Sequence, residues 1–264
     1  MGATGCMTFS WDDGHPSDMR VGELLDRHGL NGTFYIPMLA RTGTMSVGRL
    51  RDLSRRFEMG GHTLHHLSLT KLSNPLAESE IHDGKTWMEQ VTGQTCSMFC
   101  PPAGQYERKH LRMIAKAGFI GVRTIELLSL GYPRRACGLA IMPTTIQAKD
   151  HAPTTIIKHL LKRISLRGLW SYIVRGGVAG QWEPLARRML ERTAQIGGVF
   201  HLWGHSWELE SEEQWSRLER ILQLMGQMKG QLPCLSNGEI CRRWGASSET
   251  LRNSQNLTRF APPA

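Results

Sequence analysis

Two rhythms of apolar and polar positions share the first half of the chain. Short apolar or β-branched runs at residues 6–11, 33–36, 95–99 and 119–124 read as buried strands, and between them lie stretches with helical spacing. Val21, Leu24, Leu25 and His28 fall at i, i+3, i+4 and i+7, and Gly29 closes that helix. Ser46 caps a second helix with Val47, Leu50, Leu53 and Phe57 on its inner face, and Asn74-Pro75 opens a third that ends at Gly93. A fourth runs over 106–117, up to Gly118. Repeated strand–helix units of this kind predict parallel strands covered by helices.

The stretch 126–195 is harder to read. Residues 155–175 read as a basic helix and 183–194 as another. The strand rhythm resumes at 199–203. Ser211-Glu212-Glu213-Gln214 then has the form of a capping box, ahead of a helix burying Trp215, Leu218, Ile221, Leu222 and Met225. From residue 247 the chain is polar and ends in Pro-Pro-Ala, which reads as a frayed tail. This gives one domain over 1–245, with 126–195 as a candidate insertion within it, and a polar tail over 246–264.

Composition narrows the class. The chain has 264 residues, 40% hydrophobic and 21% charged, with a mean hydropathy of −0.31. Such a chain buries a core, and collagen-like, coiled-coil and wholly disordered classes are excluded. No apolar run is long enough to span a bilayer. The formal charge of +9 favours an anionic partner. Its Lys and Arg are scattered without interleaved aromatics, so nucleic acid is set aside. Six cysteines without C-x-x-C spacing argue against a disulfide scaffold, and residues 1–14 lack the pattern of a signal peptide, so a cytoplasmic location is expected. Residues 156–174 mix apolar and basic side chains and suggest peripheral membrane contact as a lesser alternative to a helix with a basic outer face.

Three clusters of chemically capable residues fall where strands end, the edge that gathers functional loops in parallel α/β folds. Asp12-Asp13 places two carboxylates side by side, a repulsive arrangement unless a cation or proton neutralises one. A turn with solvated acids is the bland alternative. His62 and His66, in HTLHH, would share a face if that segment forms a helical turn, and could converge on one metal; His65 would point elsewhere. One carboxylate and two imidazoles, with a carboxylate to spare, make the inventory of a hydrolytic metal site. His205, ending FHLWGH, is placed to donate a proton, whereas His201 reads as a core residue.

The ordered set FSWDDG, GGHTLHHLSLT, FCPPAG and HLWGH, with NGTFYIP and SNGEI in support, resembles the polysaccharide deacetylase family. This is the homology domain of the chitooligosaccharide deacetylases, carbohydrate esterase family 4. The resemblance covers roughly 6–125 and 196–240. It implies an α/β fold, a distorted (β/α) barrel of about seven parallel strands, and metal-dependent N-deacetylation of an amino sugar in a glycan, glycolipid or nucleotide-sugar precursor. A deformylase or small-amide hydrolase, and an inactive sugar-binding relative, are the alternatives. Asp12 becomes the catalytic base; Asp13, His62 and His66 the metal ligands; His205 the general acid. Pro102 lines the site, and the backbone N–H of Ala103 helps hold the oxyanion. Zn²⁺ is the expected ion, with Co²⁺ or Ni²⁺ fitting the same donors. The substrate is expected to carry phosphate or a lipid link.

Two departures stand out. Cys100 and Ala103 occupy the positions where many members have Arg and Tyr. Arg123 is a candidate to supply the missing charge from the next strand, and Arg123 or Glu208 to support His205 in place of the family's Asp-Trp pair. Trp11, Trp203 and Trp207 flank the motifs and are candidates for sugar stacking or for the core.

Overall fold

The computed structural model describes residues 5–150 and 181–245. The segment 156–174 with its expected basic helix, and the tail beyond 245, lie outside the described residues. Strands β1 (Cys6–Asp12), β2 (Thr33–Ile36), β3 (Glu58–Gly61), β4 (Met98–Phe99) and β5 (Gly121–Arg123) alternate with helices α1 (Asp18–Arg27), α2 (Val47–Ser54), α3 (Asn74–Thr92) and α4 (Arg108–Lys116). There follow β6 (Arg134–Ala136), β7 (Leu139–Met142), β8 (Ile146–Gln147), α5 (Trp182–Ile196), β9 (Val199–Gly204), α6 (Glu212–Gln227) and α7 (Asn237–Gly245).

The strands form one sheet in the order β6-β7-β5-β4-β3-β2-β1-β9-β8, curled into a half-barrel. Every pairing is parallel except that of β6 with β7. The expected (β/α) architecture is therefore present, with nine strands rather than about seven. Strands β6, β7 and β8, which the sequence pattern does not show, come from residues 134–147, and each is only two to four residues long. Runs that short carry too little alternation to register in a sequence pattern.

Side-chain alternation splits the sheet into two faces. Met7, Phe9 and Trp11 of β1 and Phe200 and Leu202 of β9 join the helices in the larger apolar core. There α6 buries Trp215, Leu218, Ile221, Leu222 and Met225, each such side chain contributing about 1.5–3 kcal/mol. Its capping box is formed: Ser211 Oγ accepts from Gln214 N–H, and Gln214 Oε1 accepts from Ser211 N–H.

The other face lines the barrel interior. Cys6, Tyr35, Met98, Cys100, Ala140, Met142 and Val199 pack there with Ile240 and Cys241 of α7. Several polar groups on this face pair with one another. Thr8 donates to Asn237 Oδ1, Asn237 Nδ2 donates to the Tyr35 hydroxyl, and Ser10 Oγ meets His201 Nε2 at 2.8 Å. Burial and the nearby Arg123 charge bring the His201 pKa down to about 3, so its imidazole is neutral structure. The SNGEI segment thus anchors α7 across the barrel.

Candidate metal centre and active site

At the carboxyl ends of β1, β3, β4, β5 and β9 the separate motifs meet. Asp12 ends β1, and Asp13 takes a left-handed backbone (φ 78°) with its N–H bonded to the Tyr35 carbonyl at 3.0 Å. The next residue, Gly14, is also left-handed, and a Cβ there would lie 2.5 Å from Ile36. This corner sends two successive carboxylates to different partners.

Asp13 Oδ1 lies 3.4 Å from His62 Nε2 and 3.1 Å from His66 Nε2, yet makes no hydrogen bond to either although it is fully buried. His62 Nδ1 faces the Cys100 carbonyl at 2.6 Å, so that nitrogen carries the proton. In the neutral ring Nε2 is then a lone pair aimed at a carboxylate oxygen. Acceptors facing one another in a buried site require a cation between them. The residues present fit a divalent ion.

The expectation of a helical turn across His62–His66 is not met. Residues 62–66 form an irregular loop in which Thr63 (φ 59°) and His66 (φ 56°) are left-handed. Tertiary contacts impose this shape. Glu80 of α3, buried, accepts from the N–H groups of Leu64 and His65 and meets His65 Nδ1 at 2.7 Å. A Cβ at Gly84, one turn on, would sit 2.8 Å from the Thr63 carbonyl carbon. The two imidazoles converge because α3 grips the loop from behind.

Asp12 has no place among those three donors. Its Oδ1 forms a buried ion pair with Arg123 Nη2, and its Oδ2 faces His205 Nε2 at 3.9 Å. The Arg123 guanidinium is wholly buried between the rings of Trp203 (4.7 Å) and Tyr35 (5.1 Å), while its Nε and Nη1 have no hydrogen-bond partner. Aromatic faces and one carboxylate therefore offset its charge.

Cys100 sits beside Asp12, with Sγ 4.0 Å from Oδ2. Asp12, His62 and Cys100 form a second set of donors within 4.8 Å of one another. Burial drives the Cys100 thiol far above its ordinary value, so it is a neutral packing group, and Asp13–His62–His66 is the better cation set.

His205 follows β9. Its Nδ1 meets Glu208 Oε2 at 2.9 Å, and Glu208 also accepts from Gln147 (3.0 Å) and Lys149 (2.7 Å). Burial opposes a charged imidazole, but the Glu208 bond and the Asp12 and Asp13 charges overcome it, and the His205 pKa is raised. Glu208 is itself drawn down to about 2, the His205 and Lys149 contacts exceeding its burial cost. Pro102 is buried, and Ala103 (φ 55°) forms the exposed corner of a short turn closed by the Gly104 N–H on the Pro101 carbonyl. Trp203 is core, clamped on Arg123; Trp207 is half-exposed and donates its indole N–H to Asp13 Oδ2 at 2.9 Å.

Two residues with no sequence signal join this site. Glu80 shapes the histidine loop. Asp18, fully buried at the start of α1, accepts from Ser206 Oγ at 2.5 Å and so ties the β1 corner to the loop carrying His205. Both lie outside the motifs, and only their long-range partners reveal them.

The curled parallel sheet carries at its carboxyl edge an Asp-His-His set that could hold a metal ion, with a spare carboxylate beside it. Residues 2–122, a little under half of the chain, match the family model described as polysaccharide deacetylase. The curated Bacillus subtilis (strain 168) protein "Putative polysaccharide deacetylase YxkH" is 22% identical over 124 residues, which are 45% of this chain and 44% of that protein. The match thus spans less than half of that relative. A Mycobacterium smegmatis structure, also described as a "putative polysaccharide deacetylase", has a TM-score of 0.71 at 17% identity, covering 94% of this chain and 92% of the other. A carbohydrate esterase family 4 pseudoenzyme from Bacillus anthracis has a TM-score of 0.54 at 13% identity, covering 91% and 66%. These likenesses establish the fold. Among the described residues no helix is long and apolar enough to cross a membrane.

Proposed function

We propose that this protein is a metal-dependent N-deacetylase of an amino sugar. The observation that carries the reading is Asp13 Oδ1, buried and without a hydrogen bond, facing two imidazole nitrogens beside a second carboxylate that stays outside the set. Asp13, His62 and His66 would hold the ion, with Zn²⁺ the first choice for this donor set. When bound, such an ion supplies Lewis-acid polarisation of the amide carbonyl and a more acidic water.

The chain's own groups then divide the proton work. Asp12 Oδ2 accepts a proton from the attacking water as the O–C bond forms, while Arg123 occupies Oδ1 and fixes which oxygen is free. The backbone N–H of Ala103 is the oxyanion donor in this reading. As the C–N bond breaks, His205 Nε2–H gives its proton to the departing amine, and Glu208 holds the ring from Nδ1. The 3.9 Å between Asp12 Oδ2 and His205 Nε2 is too long for a direct hydrogen bond and leaves room for a shared reacting atom.

The +9 charge favours an anionic, phosphate-bearing precursor as substrate. All six cysteines are free, which supports a reducing, cytoplasmic setting. The test is acetate and formate release from N-acyl hexosamines, with and without phosphate or a lipid link, using Asp12→Asn as control. Formate release alone would reassign the acyl group. Saturable sugar binding without metal-dependent release would favour an inactive relative, as the Bacillus anthracis pseudoenzyme illustrates for this fold.

A further inference from the structure

Of the three tryptophans flanking the motifs, two are committed to packing. Trp11 is wholly buried and stacked on Phe9, and one face of Trp203 is taken by the Arg123 guanidinium. Trp207 differs on both its edge and its face. Its Nε1–H donates to Asp13 Oδ2, the carboxylate oxygen turned away from the two histidines. Indole is a donor only, so this contact cannot reverse. With Oδ2 engaged, Oδ1 alone is left to face His62 and His66. Meanwhile Trp207 is 37% exposed, against 0% for Trp11 and 5% for Trp203, and its ring centre lies 5.2 Å from that of His205.

The turn holding Trp207 is short and fastened on both sides. In the 3₁₀ turn Ser206–Glu208, Ser206 is bound to Asp18 and Glu208 to His205, with Trp207 between them on Asp13. One rigid turn therefore touches both the candidate metal ligand and the candidate acid. In an N-acyl amino sugar the departing nitrogen is bonded directly to the ring. A group that protonates this nitrogen has the sugar ring as its immediate neighbour, and the exposed surface beside His205 is the indole.

We propose that Trp207 is a positioning residue for Asp13 through its N–H edge and a stacking platform for the substrate's sugar ring through its face. The edge role depends only on the metal site; the face role rests on the deacetylase reading. A ligand carboxylate is oriented by the donors on its other oxygen, and here an aromatic donor fills that part while also shaping the mouth.

Trp207→Phe keeps the face and removes the N–H, whereas Trp207→Ala removes both. Zn²⁺ affinity, measured by chelator competition on the full chain, is expected to weaken about 10–100-fold in both variants. The melting temperature without metal should stay near wild type in Trp207→Phe, while the rise on adding Zn²⁺ shrinks. A merely structural tryptophan would instead lower the metal-free melting temperature and leave affinity alone. At saturating Zn²⁺, Trp207→Phe should keep a near-wild-type KM and Trp207→Ala should raise it about tenfold. Unchanged Zn²⁺ affinity in Trp207→Phe overturns the edge role. Equal KM values in the two variants overturn the face role. If wild-type protein releases no acyl group from any sugar, the deacetylase reading and the platform fall together, and the affinity arm still decides the edge.

Discussion

On the metal-facing side of the cleft, Asp13, Thr63 and His66 all occupy left-handed backbone that side chains seldom adopt, and Glu80 clamps the loop between the histidines through two backbone N–H groups. On the side proposed for proton transfer, His205 has ordinary extended backbone (φ −130°), and its placement comes from side-chain bonds to and around Glu208. The first side is fixed by chain geometry, stored as local strain and held by distant partners. The second is set by charge. Damage to the two sides should therefore be read out differently, as metal lost in one case and as proton transfer altered in the other.

The largest separable effect should come from Asp12, which touches the proton side and the cleft centre without joining the donor set. Asp12→Asn is expected to lower kcat by about 10²–10⁴-fold while metal affinity stays near wild type, a pair of readouts from steady-state kinetics and chelator competition. If the variant instead loses its metal, Asp12 belongs to the donor set and the division of the two carboxylates is wrong.

Glu80→Ala comes next and probes the backbone side. It leaves the part-buried Leu64 and His65 N–H groups without their acceptor, at a cost of about 0.5–1.5 kcal/mol each. Denaturant unfolding should show that loss, and metal affinity should drop about 10–100-fold. Stability lost with affinity retained would mean that the histidine loop keeps its shape without α3.

Glu208→Gln tests the charge side. Glu208 helps raise the His205 pKa, so removing its charge lowers it. The protonated acid is then lost at a lower pH, and the basic limb of the kcat/KM profile should move downward in pH. An unmoved basic limb would exclude His205 as the group that titrates there. Cys100→Ser should have the smallest effect. The thiol is held neutral by burial, so Zn²⁺ stoichiometry and affinity should not change, and a clear loss would bring the second donor set into play.

Much of this contrast could not be read from the chain. The motif residues Asp12, Asp13, His62, His66 and His205 announce themselves by type and order, and the strand rhythm of β1, β2 and β9 is regular enough to place three of them at strand ends. HTLHH was readable as a helical turn or as a His-rich surface loop, and nothing local makes Thr63 or His66 left-handed. The cause lies in Glu80 and Gly84 on α3, and a helix of mixed burial gives no hint of which carboxylate turns inward. Trp207 and Glu208 could be nominated only as neighbours of a histidine. Their roles depend on which way a three-residue turn faces, and that is settled by Ser206 meeting Asp18, a partner 188 positions away. Arg123 was visible as a charge at the end of the next strand, but its aromatic sandwich needs the parallel register of a curled sheet. The short strands β6–β8 are held by sheet pairing rather than by their own sequence.

The most direct measurement is Zn²⁺ titration of the purified protein beside Asp13→Ala, with circular dichroism to verify that the variant is folded. This account expects one tightly held ion per wild-type chain and loss of that ion in the folded variant. Wild-type protein that binds no ion, or an Asp13→Ala protein that binds it as tightly, would contradict the account.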